Sequence, residues 1–222
     1  MEDYNIVKKD FNEISHLPEL TWNHNNCYFE PLIELIPNKV DISLEIGCGK
    51  GELSFMLSKK SEKVIAVDLA DEMIESAKVL NPNNNIQYIC GNILDMNFED
   101  NSLDVIITTA TAHHLPYPWL LCFAKDKLKK GGQLIILDLV KAKSISDYIL
   151  WGSAAIPNIF MNLIKNGRFQ KDDPHAKEVW ERHGKHDSYM TINEIKALAQ
   201  RHIPTAKVSR KLFWRYLLVW QK

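Results

Sequence analysis

An α/β fold, with a mostly parallel sheet and helices on both faces, is predicted by three features of this 222-residue chain. Five short apolar runs lie between residues 42 and 139, and helical patterns follow several of them, which is the rhythm of βαβ units. The runs are almost continuously apolar, as strands buried on both faces must be. Gly, Asn and Pro punctuate the junctions between them.

The elements can be justified in chain order. Residues 1–38 form an N-terminal piece that reads as helical around residues 28–36 and is stopped by Pro37. ISLEIGC is the first strand, followed by a helix over residues 52–60, and KVIAVD is the second, followed by a helix over residues 71–80. Pro82 with Asn83-Asn84-Asn85 is a loop leading into IQYIC. Asp100-Asn101 turn the chain into LDVIITT, a helix covers residues 119–128, and Gly131-Gly132 form the turn before QLIILDL, which begins at Gln133. Residues 141–187 interrupt this alternation. A helix over residues 192–201 follows, with Thr191 as N-cap and Glu194 three residues on, a capping-box spacing. AKVSRKLF and RYLLVW then pair as an antiparallel hairpin. No internal repeat is present, and one domain over residues 1–222 is the simplest division. It comprises a helical cap (1–40), a core (41–140), an inserted stretch (141–190) and a C-terminal helix with its hairpin (191–222).

Composition narrows the function. Lysine and arginine number 27 against 28 aspartates and glutamates, a formal charge of −1, so the chain has no electrostatic footprint for gripping nucleic acid. Small-molecule chemistry is the expectation. Cys27, Cys48, Cys90 and Cys122 are scattered without CxxC spacing, which points away from disulfides and cysteine-held zinc and towards a reducing cytoplasm. The first residues lack the order of a signal peptide, and no apolar run of about 18 residues suits a membrane span.

The chemistry is concentrated at the first strand-to-helix junction. Gly47, Gly49 and Gly51 fall as GxGxG directly after a strand and before a helix, where backbone N–H groups can meet a ligand, and Glu45 precedes them. A dinucleotide fingerprint wants GxGxxG, and a Walker loop wants GK followed by Ser or Thr; neither is present. Asp68, 21 residues after Gly47 at the end of the second strand, can accept hydrogen bonds from both hydroxyls of a ribose, or it can simply cap the next helix. His113-His114 follow the fourth strand at the sheet's carboxyl edge. They are either groups that could deprotonate an acceptor or solvent-facing, helix-capping histidines.

Taken together, LEIGCGKGELS, VIAVDLADEMIESAK, GNILDMNFEDNSLDVIITTATAHHLP and LKKGGQLIILDL resemble, in order and at the same distances, the motifs of the class I S-adenosylmethionine-dependent methyltransferases. Within that family the chain is most similar to the small-molecule branch that includes the ubiquinone and menaquinone biosynthesis enzymes. Trp22-Asn23-His24-Asn25, Tyr28-Phe29 and the stretch WRYLLVW from Trp214 extend the likeness to both ends. The resemblance implies a Rossmann-like fold with a seven-stranded sheet whose last strand is antiparallel. It implies S-adenosylmethionine as methyl donor and S-adenosylhomocysteine as product. Gly47, Gly49 and Gly51 would admit the methionine part, with Glu45 orienting its amino group. Asp68 would hold the ribose, and Leu69 would pack on adenine. Asn92, where the family has Asp, would accept from the adenine amino group, with Ile93 beside it. Thr109 would sit by the methionine group, and His114 or His113 would serve the acceptor.

The partner implied is a small-molecule methyl acceptor bound by a monomer or homodimer, without nucleic acid or stable membrane insertion. Thr108-Thr109-Ala110-Thr111 replaces the Asp/Asn-Pro-Pro-aromatic motif of base-amine methylation, and no glutamate pair suits a guanidinium. Residues 148–169 are either the acceptor's cover or a helical hairpin packed on the core. Trp22, His24, Tyr28 and Phe29 would form the opposite wall of an acceptor pocket. His183 and His186, with Asp172, Asp173 and His175, read as a solvated polar loop, and no metal is expected. Two other functions are open: a non-catalytic protein that binds S-adenosylmethionine or S-adenosylhomocysteine, and a nicotinamide-dependent oxidoreductase.

Overall fold

The computed structural model describes residues 4–18, 22–143, 174–185 and 187–222, together with Gly152 and Ile164. The sequence reading of residues 148–169 therefore lies outside the described residues apart from these last two, as do Asp172, Asp173 and His186.

Seven strands form one sheet in the order β3-β2-β1-β4-β5-β7-β6. They are β1 (Val40–Ile46), β2 (Ser61–Asp68), β3 (Ile86–Cys90), β4 (Leu103–Thr109), β5 (Leu128–Leu139), β6 (Lys207–Lys211) and β7 (Arg215–Gln221). β1 pairs in parallel with β2 and β4, β2 with β3, and β4 with β5, whereas β7 runs antiparallel to both β5 and β6. Six strands thus share a direction and the last is reversed, the predicted Rossmann-like arrangement. The strand order switches at β1 and β4, so the crevice beyond their carboxyl ends is where an open α/β sheet binds its ligand.

Helices are α1 (Tyr4–Ser15), α2 (Phe29–Glu34), α3 (Glu52–Ser58), α4 (Asp71–Leu80), α5 (Tyr117–Lys127), α6 (Pro174–Gly184) and α7 (Ile192–His202). The strands feed both faces by alternation: Ile106, Leu134 and Ile136 pack with Leu120, Leu121 and Ile195 of α5 and α7. Their neighbours Val105, Ile107, Ile135 and Leu137 pack with Leu32, Leu53, Leu57 and Ile74 of α2, α3 and α4. This two-sided burial explains the uninterrupted apolar runs. Thr191 and Glu194 do form a reciprocal capping box at the start of α7.

Two features depart from the sequence reading. Helix α1, unforeseen, packs Ile14 against Met73 of α4 and Val179 of α6. And Gly131-Gly132 do not separate helix from strand. β5 begins at Leu128, which pairs with Leu103, and the register jumps to Gln133 opposite Val105, so the glycines form a bulge within the strand, with Gly131 at φ +85°.

Candidate active site at the carboxyl edge of the sheet

The glycine turn lies where β1 ends. Gly47 and Cys48 both donate their backbone N–H to Val67 O, at 2.8 and 3.0 Å, which ties the turn to β2. Gly47 adopts φ +74°, and a Cβ there would lie 2.0 Å from Thr111 Oγ1, so a side chain is excluded twice over. Gly49, at φ +50°, has nothing within 4 Å of where its Cβ would be: this stretch of backbone is bare and approachable. Gly51 is the left-handed N-cap of α3.

Two carboxyls bracket this turn. Glu45 is buried and accepts a hydrogen bond from Ser54 Oγ of α3. Loss of solvent pushes its pKa up to about 8, the Ser54 bond lowers it, and the neighbouring Asp68 carboxylate raises it further. Asp68 accepts from Gly49 N–H at 2.8 Å through Oδ2 and from Ala70 N–H at 2.9 Å through Oδ1. Its pKa is raised by desolvation against these backbone donors. Asp68 does not cap α4, whose N-cap is Ala70 without a side-chain cap bond; it braces the turn before that helix, and each of its oxygens retains a second lone pair. Leu69 is half-buried beyond it, and Cys90 Sγ lies 3.7 Å from its carbonyl oxygen.

Asn92 caps the short 3-10 turn Ile93–Asp95 by accepting from Leu94 N–H at 3.1 Å, and Ile93 is buried. Its carbonyl oxygen is thus engaged locally while keeping one lone pair. Thr109 ends β4, its carbonyl accepting from Thr111 Oγ1 at 3.0 Å. Between them Ala110 sits at φ +51°, a backbone conformation that costs a non-glycine residue of order 1 kcal/mol or more.

The 3-10 turn Ala112–His114 follows, and neither histidine faces solvent: both side chains are 5% exposed. His113 Nδ1 is 2.8 Å from Asp138 Oδ1 at the end of β5, and its Nε2 is 3.9 Å from Asp187 Oδ2. His114 Nδ1 is 3.9 Å from Asp187 Oδ1, and its ring stands edge-on to Phe11 of α1. His183, expected in a solvated loop, is instead a buried residue at the end of α6, because that helix lies against α1. Its Nδ1 is 3.5 Å from Asp10 and its Nε2 3.6 Å from Asp187, and burial pushes its pKa below the usual value. Tyr189 Oη donates to Asp187 Oδ2. Three imidazoles and three buried carboxylates, from α1, the turn after β4, β5, α6 and the segment after it, thus converge at one edge. Of the metal candidates named from sequence, His175 is exposed, and His183 alone joins this cluster among the described residues.

Asp10, Asp138, Asp187 and Tyr189 escaped the sequence reading. Asp138 carried a signal, since an acid inside IILDL breaks an otherwise apolar buried strand. The others carried none.

The two ends of the chain also meet here. Arg215, buried at the start of β7, donates from Nη2 to Asn25 Oδ1 at 2.5 Å, and β5 and β7 place Leu139 opposite it. His24 stacks on Phe213 at 4.8 Å with 9° between planes, and Trp22 meets Phe213 edge-on. Phe213 and Trp214 hold φ +56° and +59° in the β6–β7 turn.

Residues 44–136 match the model of the methyltransferase domain family. An uncharacterised methyltransferase of Mycobacterium bovis is 22% identical over 90% of this chain and 96% of its own length. A ubiquinone biosynthesis O-methyltransferase of Coxiella burnetii is 25% identical over 72% of this chain and 74% of its own length. Among solved structures, an S-adenosylmethionine-dependent methyltransferase from Aquifex aeolicus superposes with a TM-score of 0.57 at 18% identity, covering 96% of this chain and 97% of that one. The domain match lies on β1 to β5, and the Mycobacterium relative and the Aquifex structure each align over 90% or more of this chain, so it has the fold of the S-adenosylmethionine-dependent methyltransferases and is similar to them along its length.

Proposed function

We propose that this protein transfers a methyl group from S-adenosylmethionine to a small-molecule acceptor. The observation that carries the reading is the bare glycine turn between Glu45 and Asp68 at the carboxyl ends of β1 and β2. The residues present suit the donor: an acidic pair for an ammonium and a ribose, and approachable backbone at Gly49 between them. When bound, S-adenosylmethionine supplies an electrophilic sulfonium methyl whose leaving group is neutral.

The chain's own residues then do the following. Glu45 orients the ammonium, with Gly47 and Gly51 keeping the turn tight and Thr109 and Thr111 closing its far side. Asp68 holds the ribose by its remaining lone pairs, Leu69 and Ile93 pack about the adenine, and Asn92 accepts from its amino group. His113 and His114, sequestered from solvent, activate the acceptor, and Asp138 fixes the ring of His113. The whole chain acts as one domain, as a monomer or homodimer, in the cytoplasm. Among the described residues no helix is long and apolar enough to cross a membrane.

Calorimetric titration with S-adenosylhomocysteine tests this directly. Binding that is lost in Asp68→Ala and indifferent to excess NADH is expected, followed by methyl transfer to a component of a metabolite extract. NADH binding in its place would refute it.

A further inference from the structure

We propose that His113, His114 and Asp187 form a binding site for a divalent transition-metal ion of the zinc type. One ligand atom from each lies within 4.8 Å of the other two, and the side chains are only 4–5% exposed.

Three observations point to an ion. The first is spacing. Asp187 stands 3.9 Å from His113 Nε2, 3.9 Å from His114 Nδ1 and 3.6 Å from His183 Nε2. These gaps are too long for hydrogen bonds, in a cluster where His113 and Asp138 make one of 2.8 Å. Two atoms that share a tetrahedral ion at bonds of ~2.0–2.1 Å lie about 3.4 Å apart, so the ligand atoms, all within 4.8 Å of one another, draw together by up to about 1.4 Å to complete the site. The second is orientation. His113 Nδ1 is held by the Asp138 carboxylate, which leaves Nε2 as the ring's other nitrogen towards Asp187, and a carboxylate behind an imidazole is the usual support of a metal-bound histidine.

The third is charge. Asp187 Oδ1 has no hydrogen-bond partner among the described residues, although its side chain is 96% removed from solvent, and no lysine or arginine there lies within ion-pair distance of it. Asp10, by contrast, has Arg182. The other oxygen, Oδ2, accepts from the neutral Tyr189 hydroxyl, which carries no balancing charge; a buried carboxylate so compensated is costly, and a dication supplies the missing charge. Two imidazoles with one carboxylate suit zinc, cobalt or nickel rather than magnesium or calcium, which favour all-oxygen shells. Three protein ligands leave a fourth position, in which an acceptor oxygen could bind and become more acidic. That role rests on the methyltransferase reading; binding of the ion does not.

The test uses the full chain stripped by a chelator, titrated with Zn²⁺ in competition with a chromophoric chelator and separately with Co²⁺. One adventitious competitor is removed first: Cys122 Sγ lies 3.5 Å from His202 Nδ1 on the surface, so the measurements use a Cys122→Ser, His202→Asn background. One equivalent of ion is expected, with the intense visible bands of low-coordinate cobalt. Asp187→Asn should weaken binding more than 100-fold and Asp138→Asn about 10- to 100-fold. Because Asp187→Asn could fail to fold, the Asp138→Asn shift and the cobalt spectrum decide on their own. Absence of a bound equivalent, or affinity that Asp138→Asn leaves unchanged, overturns the proposal. S-adenosylhomocysteine titrated into the same samples separates the two readings: binding without metal uptake sinks only the ion, and metal uptake without binding sinks only the methyltransferase.

Discussion

Replacing Glu45 by glutamine tests the electrostatics of the candidate cofactor site. Burial moves this carboxyl from its ordinary value of 4.5 to about 8. The folded chain therefore holds the proton more tightly than the unfolded chain does. Below pH 4.5 both states are protonated and folding is undisturbed; between pH 4.5 and 8 the unfolded state releases its proton and the folded state does not, so stability falls as pH rises. At about 1.4 kcal/mol per pH unit, the loss reaches about 3 kcal/mol at pH 7. Glu45→Gln keeps the shape and an acceptor for Ser54 but cannot ionise. At pH 7 it should be more stable by up to about 3 kcal/mol, or about 6–12 °C in Tm, and at pH 4 nearly equal to the wild type. Urea denaturation of both proteins at pH 4, 5.5 and 7 measures the difference. Wild-type and variant stabilities that run parallel across this range would refute the reasoning. An ammonium brought to Glu45 favours its ionised form, so binding of S-adenosylhomocysteine at pH 7 should release a proton. Calorimetry in two buffers of different ionisation enthalpy reads that proton, and Glu45→Gln should abolish it and weaken binding.

Other consequences follow from the same geometry. Gly47→Ala meets both the positive φ and Thr111 and should cost about 2 kcal/mol or more, whereas Gly49→Ala meets only the backbone penalty of about 1 kcal/mol; thermal melts of the pair would show the order. Both should weaken S-adenosylhomocysteine binding. Thr191→Ala removes the capping box of α7 and should lower stability by about 1 kcal/mol in urea titration. Arg182→Met cuts the 2.9 Å link from α6 to Asp10 and the bond to Glu13. Amide exchange in α1 should then quicken while that of β1 and β4 stays unchanged.

The sheet was legible because its residues obey one local rule. Strands covered on both sides need apolar residues at every position, and Val105, Ile106 and Ile107 advertise this directly. The capping box of Thr191 and Glu194 was equally local. Gly131-Gly132 misled because two adjacent glycines signal a turn as readily as a bulge, and the choice between them is made by the partner strand: Leu103 captures Leu128 before the glycines are reached. Helix α1 went unread because the apolar Ile14 and half-buried Phe11 stand on a largely polar segment. What buries them is α4 and α6, elements far away in sequence.

The two halves of the candidate site differ in the same way. Glu45, Gly47, Gly49 and Gly51 lie within seven consecutive residues, and Asp68 follows from the next strand, so spacing alone could bring them together. The polar cluster is drawn from residues 10, 113, 114, 138, 183 and 187, and no periodicity links them. Only the topology does: β4 and β5 are adjacent and parallel, so the turn carrying His113 ends beside Asp138. α6 then lies against α1 and brings His183 and Asp10 to the same place. Asp187 follows α6 closely and is carried in with it. A charged group so placed is expensive to bury, and a chain has no reason of stability to gather three carboxylates and three imidazoles where leucine would pack. Asp138 has His113 and Asp10 has Arg182, but among the described residues Asp187 has only the neutral Tyr189 hydroxyl, with imidazoles standing beyond hydrogen-bond reach. That imbalance is a property of the assembled site alone, and it is what makes the binding of a cation here the sharper of the two questions about how the acceptor is activated.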